Sequence, residues 1–171
     1  MMNKQVSLLR RAISFVVDLY LGSLLGTLPI SFATYFTIGE MTQNVFLLEK
    51  GFAIFVLIIS LILLISYYVI IPCYVLKGQT LGKKLMDICI VYEQHNSLIK
   101  RQILFMLALT SFGSVLGALL SIMSGYDCIE ILSDVTMSIS LVAVVMILFT
   151  KSHLGIYDKL FKTSIQELKK V

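Results

Sequence analysis

The apolar run at 12–36 constrains the fold most, because it is long enough to cross a bilayer and contains one charged residue, Asp18. A bilayer core is about 30 Å thick and takes about 20 helical residues to cross. An ionised carboxylate inside it is costly unless another group compensates its charge. Arg11 lies two helical turns earlier on the same face, roughly 10 Å away along the axis. We therefore expect a membrane helix whose buried acid needs a polar partner, with Arg11 as the first candidate.

The composition of the whole chain agrees with a membrane protein. Of the 171 residues, 58% are hydrophobic and 14% are charged, and the mean hydropathy is +0.93. Soluble domains are only about 45–50% apolar. We therefore expect one all-α membrane domain over residues 1–171. The apolar runs predict four transmembrane helices, at about 12–36, 51–76, 103–123 and 132–150.

Basic residues concentrate in the segments that four spans would place on one side of the membrane. The head, the 77–101 loop and the tail hold three, five and five of the fourteen Lys and Arg residues, whereas the other loops hold only Lys50. The positive-inside rule therefore predicts that both termini and the 77–101 loop are cytoplasmic. The net charge of +4 then attracts anionic lipid headgroups, and no nucleic-acid partner is indicated.

Two features of the predicted spans indicate how they pack. Tyr67, Tyr68 and Tyr74 near the end of the second span are typical of an aromatic belt at the membrane surface. Gly113 and Gly117 in the third span have a spacing that allows close contact with another helix. That helix could belong to the same chain or to a second copy.

The loop after the second span contains the sequence Gly-Gln-Thr-Leu-Gly-Lys-Lys-Leu. It predicts a short amphipathic helix at the membrane surface, followed by a strand-like run and a turn. We expect the two glycines to let the backbone turn and both lysines to stay in water. We expect the glutamine amide and the threonine hydroxyl to satisfy exposed backbone groups. The glycines are one residue too close for a nucleotide-binding GxxxxGK[ST] loop. The predicted interfacial residues are Gly78, Gln79, Thr80, Gly82, Lys83 and Lys84.

No pattern in the sequence indicates an enzyme, a metal site or a cofactor. Cys73, Cys89 and Cys128 are scattered and form no Cys/His cluster, so we expect them to be packing residues. His95 and His153 are isolated, which favours loop or interface positions over metal ligation. Nucleophilic triads and paired carboxylates are also absent as sequence patterns.

Four motifs occur in a fixed order along the chain. They are Arg-Arg with Asp18 in the first helix, the Gly-Gln-Thr-Leu-Gly-Lys-Lys-Leu loop, Arg101 at the start of the third span, and Tyr-Asp-Lys-Leu followed by Thr163. Together they resemble the RDD family of small bacterial membrane proteins, which is named for an arginine and two aspartates. By this resemblance Arg11 and Asp18 correspond to the first-helix pair of the family, and Asp158 to the acid of its C-terminal motif. It implies a multi-pass protein of the bacterial inner membrane.

Two positions depart from the family's pattern. Asp87 stands where a glycine is usual, and its i,i+4 spacing from Lys83 predicts a local ion pair. Tyr157 stands where a histidine is frequent, so a group that could titrate near neutral pH is absent there.

The acid inside the first span and the family resemblance imply two alternative functions. A polar cluster of Arg11, Asp18 and Asp158 on the cytoplasmic side would form a site for transport of ions or small solutes, and some RDD proteins are reported as cation/proton antiporters. Ionisable groups inside spans often mark such pathways. The same cluster could instead be a structural network that pins the first helix to the tail. The alternative function is an accessory or scaffold role that binds a transporter or an immunity partner through the cytoplasmic face. Because the spans carry few polar residues, transport would require a homo-oligomer.

Overall fold

The computed structural model describes residues 6–149 and 156–167, which are mostly helical. A π-helix, Ser66–Val75, continues α2 directly, and a single 3₁₀ turn, Val45–Leu47, precedes α2. The elements in chain order are α1 Leu8–Ile38, α2 Lys50–Ile65, α3 Leu81–Leu85, β1 Ile88–Val91, α4 His95–Leu107, α5 Thr110–Ser124, α6 Ile129–Phe149, α7 Ile156–Leu160 and β2 Ser164–Glu167.

Two helices in the described part of the chain are long and apolar enough to cross a membrane. They are α1, with 31 residues, and α2 together with its π-helical continuation, with 26 residues. The pair α4 and α5 makes a third if it counts as one span bent by 68°. The fourth predicted span corresponds to α6, and its last residue, 150, lies outside the described residues. A total of four spans remains a prediction.

The prediction of one continuous helix over 103–123 is wrong, because the chain breaks between α4 and α5. The break at Ala108 and Leu109 contains neither proline nor glycine. At this break, the Ala108 backbone carbonyl accepts a hydrogen bond of 2.5 Å from the Ser140 hydroxyl of α6. Backbone groups freed inside a membrane protein must find such partners. A contact with a distant helix thus stabilises a break that local helix propensity does not predict.

Glycines let the long helices approach one another closely. A methyl group at Gly113 would lie 2.7 Å from the Thr136 side chain, and one at Gly117 would lie 2.8 Å from the Ile129 backbone. Both positions therefore require glycine for α5 to pack against α6. The predicted close helix contact is made within the same chain.

A two-stranded antiparallel sheet joins the 77–101 loop to the tail. Its register pairs Ile88 with Glu167 and Val91 with Ser164. The short helix and strand predicted for this loop are thus confirmed. An ion pair of 3.2 Å between Arg10 and Glu167 also attaches the start of α1 to β2. The head, the loop and the tail therefore meet at one end of the helical bundle.

Candidate functional site

Asp18 of α1 is the most enclosed carboxylate at this end of the bundle, with 1% of its surface exposed. Its Oδ1 accepts hydrogen bonds from the Tyr67 hydroxyl at 2.7 Å and from the Gly82 backbone N–H at 2.9 Å. Its Oδ2 accepts a 2.5 Å bond from the Thr80 hydroxyl. Three donors from two other segments thus satisfy a charge that would otherwise be costly to bury.

Lys83 of α3 supplies the opposite charge. Its Nζ lies 3.5 Å from Asp18 Oδ2 and donates a 3.2 Å hydrogen bond to the Thr80 hydroxyl oxygen. It also lies 5.6 Å from the centre of the Phe105 ring, within the range of a cation–π contact. Burial lowers the pKa of Lys83, while the charge of Asp18 opposes this shift. Lys83 therefore releases its proton more readily than an exposed lysine does.

Asp158 and Arg101 form a second buried ion pair next to the first. The Arg101 Nε and Nη2 atoms donate to Asp158 Oδ1 at 2.9 and 2.8 Å. The Thr163 hydroxyl donates to the same oxygen at 3.2 Å. Charge-assisted bonds of this kind are short and about twice as strong as neutral ones. The pair fixes α7 and the start of β2 against α4.

One cavity of about 100 Å³ connects the two ion pairs. Arg11, Lys83, Arg101 and Asp158 all line it, and the rest of its wall is mostly apolar. Arg11 donates a 3.5 Å bond to the Ile165 carbonyl and lies within electrostatic range of Asp158. We call Arg11, Asp18, Lys83, Arg101 and Asp158 the ionic cluster.

The structure changes the predicted pairing of these residues. Asp18 pairs with Lys83, whereas Arg11 lies near Asp158 and the tail, because α1 turns the two side chains toward different segments. Lys83 is buried and does not stay in water, and it forms an ion pair with Asp18. Lys84 is exposed, as predicted.

Two of the three tyrosines assigned to an aromatic belt belong to this site. Tyr67 and Tyr68 are 2% and 0% exposed, and Tyr68 donates a 2.7 Å bond to the Asp18 backbone carbonyl. Of the three, only Tyr74, which is 64% exposed, has the exposure of a belt residue. One signal in the sequence could have identified them. The second span contains no charged residue and carries two adjacent tyrosine hydroxyls, while the first span contains an acid, Asp18, that needs hydrogen-bond donors.

Gly78 and Gly82 have different roles. Gly78 has a φ of +95°, so it turns the backbone as predicted. Gly82 lies in α3, and a methyl group there would collide with the Ser14 carbonyl oxygen and lie 2.8 Å from Asp18 Cγ. Gly82 therefore permits the approach that brings its N–H to the carboxylate. The Gln79 side chain donates a 2.8 Å bond to the Ile88 carbonyl, so it satisfies the backbone as expected.

A search against family models matches residues 6–162 of the chain to the RDD family. The chain belongs to the RDD family. No curated protein and no solved structure matches it. The family match and the apolar helices together identify it as a membrane protein.

Two positions of this RDD chain depart from the family's pattern, and the structure shows the backbone conformation of one and the packing of the other. Asp87 has a φ of +53°, a left-handed conformation that glycine adopts most easily and aspartate tolerates. Tyr157 is buried, and its ring packs edge-on against Phe105 at 5.8 Å between centroids. Burial raises the pKa of Tyr157, so its hydroxyl stays protonated at neutral pH.

The chemistry that this site offers is ionic. Within 6–149 and 156–167, no group of three His, Cys, Asp or Glu side chains could hold a metal ion. The cluster instead holds two carboxylates, one lysine whose pKa burial lowers, and two arginines. Such a set can bind and release small ions and protons.

Proposed function

We propose that this RDD protein is a non-enzymatic, multi-pass protein of the bacterial cytoplasmic membrane that exchanges cations for protons at the ionic cluster. The substrate class includes ions and, more broadly, small solutes that cross with a proton. The proposal rests on the geometry of the cluster and on the family match.

The charge balance of the buried cluster carries the proposal. Its three basic and two acidic side chains give a net charge of +1 when all are ionised. A further cation would raise this to +2 in a site with mainly apolar walls, where charge interactions are stronger than in water. Loss of one proton restores the original charge. A cation can therefore enter at low cost only when a proton leaves.

Lys83 is the group best placed to release that proton. An entering cation and the Lys83 ammonium would compete for the same Asp18 oxygen, because Nζ lies 3.5 Å from it. A lysine that loses its acidic partner in a buried site also loses the main interaction that keeps it protonated. Cation binding at Asp18 and proton release from Lys83 would thus be coupled.

The arrangement of the chain supports a four-span topology with both termini in the cytoplasm. The β1–β2 pairing and the Arg10–Glu167 ion pair hold the head, the 77–101 loop and the tail together. An even number of crossings places these segments on one side, and their bases make that side cytoplasmic. Four of those bases, Lys4, Lys151, Lys169 and Lys170, lie outside the described residues.

The test is cation-driven proton movement in liposomes that contain the purified protein. An inward sodium, lithium or potassium gradient is imposed, and the internal pH is followed with a trapped dye. We expect the wild type to move protons with at least one cation and Asp18→Asn to move none. Asp134→Asn, which changes an exposed acid of α6, should behave like the wild type.

The melting temperature of each variant separates loss of function from loss of structure. Asp18→Asn that inserts, stays folded and lacks flux supports exchange at this carboxylate. A wild type without flux under every cation gradient contradicts the proposal.

An accessory role is the second candidate, and the sheet favours it. β1 and β2 form a two-stranded sheet, so within the described residues each strand has one edge that no other strand covers. Such an edge can accept an extended segment of a partner protein. An absence of flux in the wild type, together with instability of Asp18→Asn, would favour this role.

A further inference from the structure

A cleft of about 340 Å³ lies at the end of the bundle opposite the ionic cluster. It is formed by the second half of α1, the connection from α1 to α2, the first turns of α5 and the start of α6. Its volume falls within the range of about 300–1,000 Å³ that is typical of small-molecule sites. The exchange proposed above makes no use of it.

Two helices each present a stripe of hydroxyl groups to this cleft. Ser23 and Thr27 are four residues apart on α1, and Thr110 and Ser114 are four residues apart on α5, so each pair shares a helical face. Ser111 adds a fifth hydroxyl. Polar groups along membrane helices are uncommon and often line functional cavities.

The hydrogen bonds of these side chains determine what the cleft offers to a ligand. The Thr27 and Ser114 hydroxyls donate to the Ser23 and Thr110 carbonyls, both at 2.9 Å. Ser114 Oγ also lies 3.2 Å from Ser133 Oγ. A hydroxyl oxygen has two lone pairs, so both oxygens can still accept a bond. Ser111 Oγ is buried, and the described residues give it no hydrogen-bond partner. It can therefore donate and accept.

The connection from α1 to α2 contributes donors. Asn44 Oδ1 accepts a 3.1 Å bond from the Phe46 backbone N–H, and among the described residues no acceptor takes up the Asn44 amide N–H groups at the cleft wall. Gln43 adds a second amide. Apolar walls from Ile30 and Val115 lie between these polar groups.

The described lining of the cleft contains no charged residue. A charged ligand would lose its hydration there without receiving a counter-charge, which is unfavourable. The ligand that matches this lining best is a molecule with several hydroxyl groups on a short carbon chain. Its hydroxyl groups can both donate and accept, and its carbon chain can contact the apolar walls. We propose that this cleft is a binding site for a small neutral polyol, separate from the ionic cluster.

The test uses a cysteine placed in the cleft of the full-length chain in liposomes. Cys73, Cys89 and Cys128 are first replaced by serine, and Ser114→Cys is added, because Ser114 lines the cleft and is partly exposed. The rate of reaction with a neutral hydroxyethyl thiosulfonate is measured with increasing glycerol. Ser60→Cys is the matched control, because Ser60 is fully buried and lines neither cavity described above.

We expect Ser114→Cys to react at least tenfold faster than Ser60→Cys and to be protected by glycerol in a saturable way. Sodium chloride and choline chloride at equal osmolality should not protect it. Adding Thr27→Val should weaken glycerol binding by roughly threefold to tenfold, since one acceptor is lost. Thr37→Val, which alters an exposed threonine that does not line the cleft, should have no effect.

Three results would overturn the proposal: reaction no faster than at Ser60→Cys, no protection by glycerol, or equal protection by the salts. Thr27→Cys reports from the opposite wall and replaces Ser114→Cys if that variant fails to fold. Protection should persist in Asp18→Asn, so the cleft and the exchange site can fail independently.

Discussion

At the scale of single residues, the fold depends on how one carboxylate is satisfied inside a membrane helix. The Asp18 carboxylate accepts hydrogen bonds from a hydroxyl of the second span and from a hydroxyl and a backbone N–H of the next loop. It also forms an ion pair with the lysine ammonium of α3. The sequence identifies Asp18 as unusual because it is the only charge in its run. It does not identify the partners, because they lie 49–65 residues further along the chain.

The Thr80 hydroxyl links the two charges of the first ion pair, since it donates to Asp18 and accepts from Lys83. We expect Thr80→Val, which keeps the shape of the side chain, to lower the free energy of unfolding by about 1–3 kcal/mol. Unfolding in detergent measures the change. Thr37→Val is the control, and a change there within about 0.5 kcal/mol is expected for an exposed site. Equal effects at the two positions would show that the Thr80 bond contributes little.

The lowered pKa of Lys83 predicts how stability depends on pH. Burial places this pKa below the ordinary value of 10.5, so the unfolded chain still holds the proton at pH values where the folded protein releases it. Stability from this group therefore rises with pH in a window below 10.5 and falls as pH is lowered through that window.

The measurement is the melting temperature of the wild type minus that of Lys83→Met, from neutral pH to about pH 10. Groups present in both proteins, including Tyr157, largely cancel in this difference. We expect the difference to increase with pH. A difference that stays flat or decreases would contradict a lowered pKa.

At the scale of elements, α3 is a short helix held against α1 by a glycine. Alanine normally favours a helix over glycine by about 1 kcal/mol. At Gly82 the added methyl group collides with the Ser14 carbonyl oxygen and crowds Asp18. We expect Gly82→Ala to lower the free energy of unfolding by about 1–3 kcal/mol, as overpacking does. Gly51→Ala, in α2 with open space around it, should not lower it, and a harmless Gly82→Ala would show that α3 can shift freely.

The sequence predicts the elements better where local signals decide them. The α3–β1 pattern in the loop follows from the periodicity of the sequence, and the first two long helices follow from the length of the apolar runs. The close contact at Gly113 and Gly117 follows from the small size of glycine. The break between α4 and α5 does not, because a hydroxyl from α6 stabilises it. The burial of Lys83 could not be predicted either, since a lysine beside a span normally points to water.

At the scale of the whole molecule, the two cavities occupy opposite ends of the bundle and approach each other at the break between α4 and α5. Leu109 lines the smaller cavity beside the ionic cluster, and Thr110 lines the larger polar cleft. A bend of 68° at this point separates them. Broken helices in membrane proteins are tolerated where they line cavities or are buried in protein. The break and the residue after it therefore contribute to the walls of both cavities.

The central claim is that a cation and a proton compete within the ionic cluster. The most direct measurement is proton release from the detergent-solubilised wild type when sodium, lithium or potassium is added at weak buffering. We predict saturable release with at least one of these cations and none from folded Asp18→Asn. An unchanged pH with the wild type, for all three cations and across the neutral range, would contradict the claim.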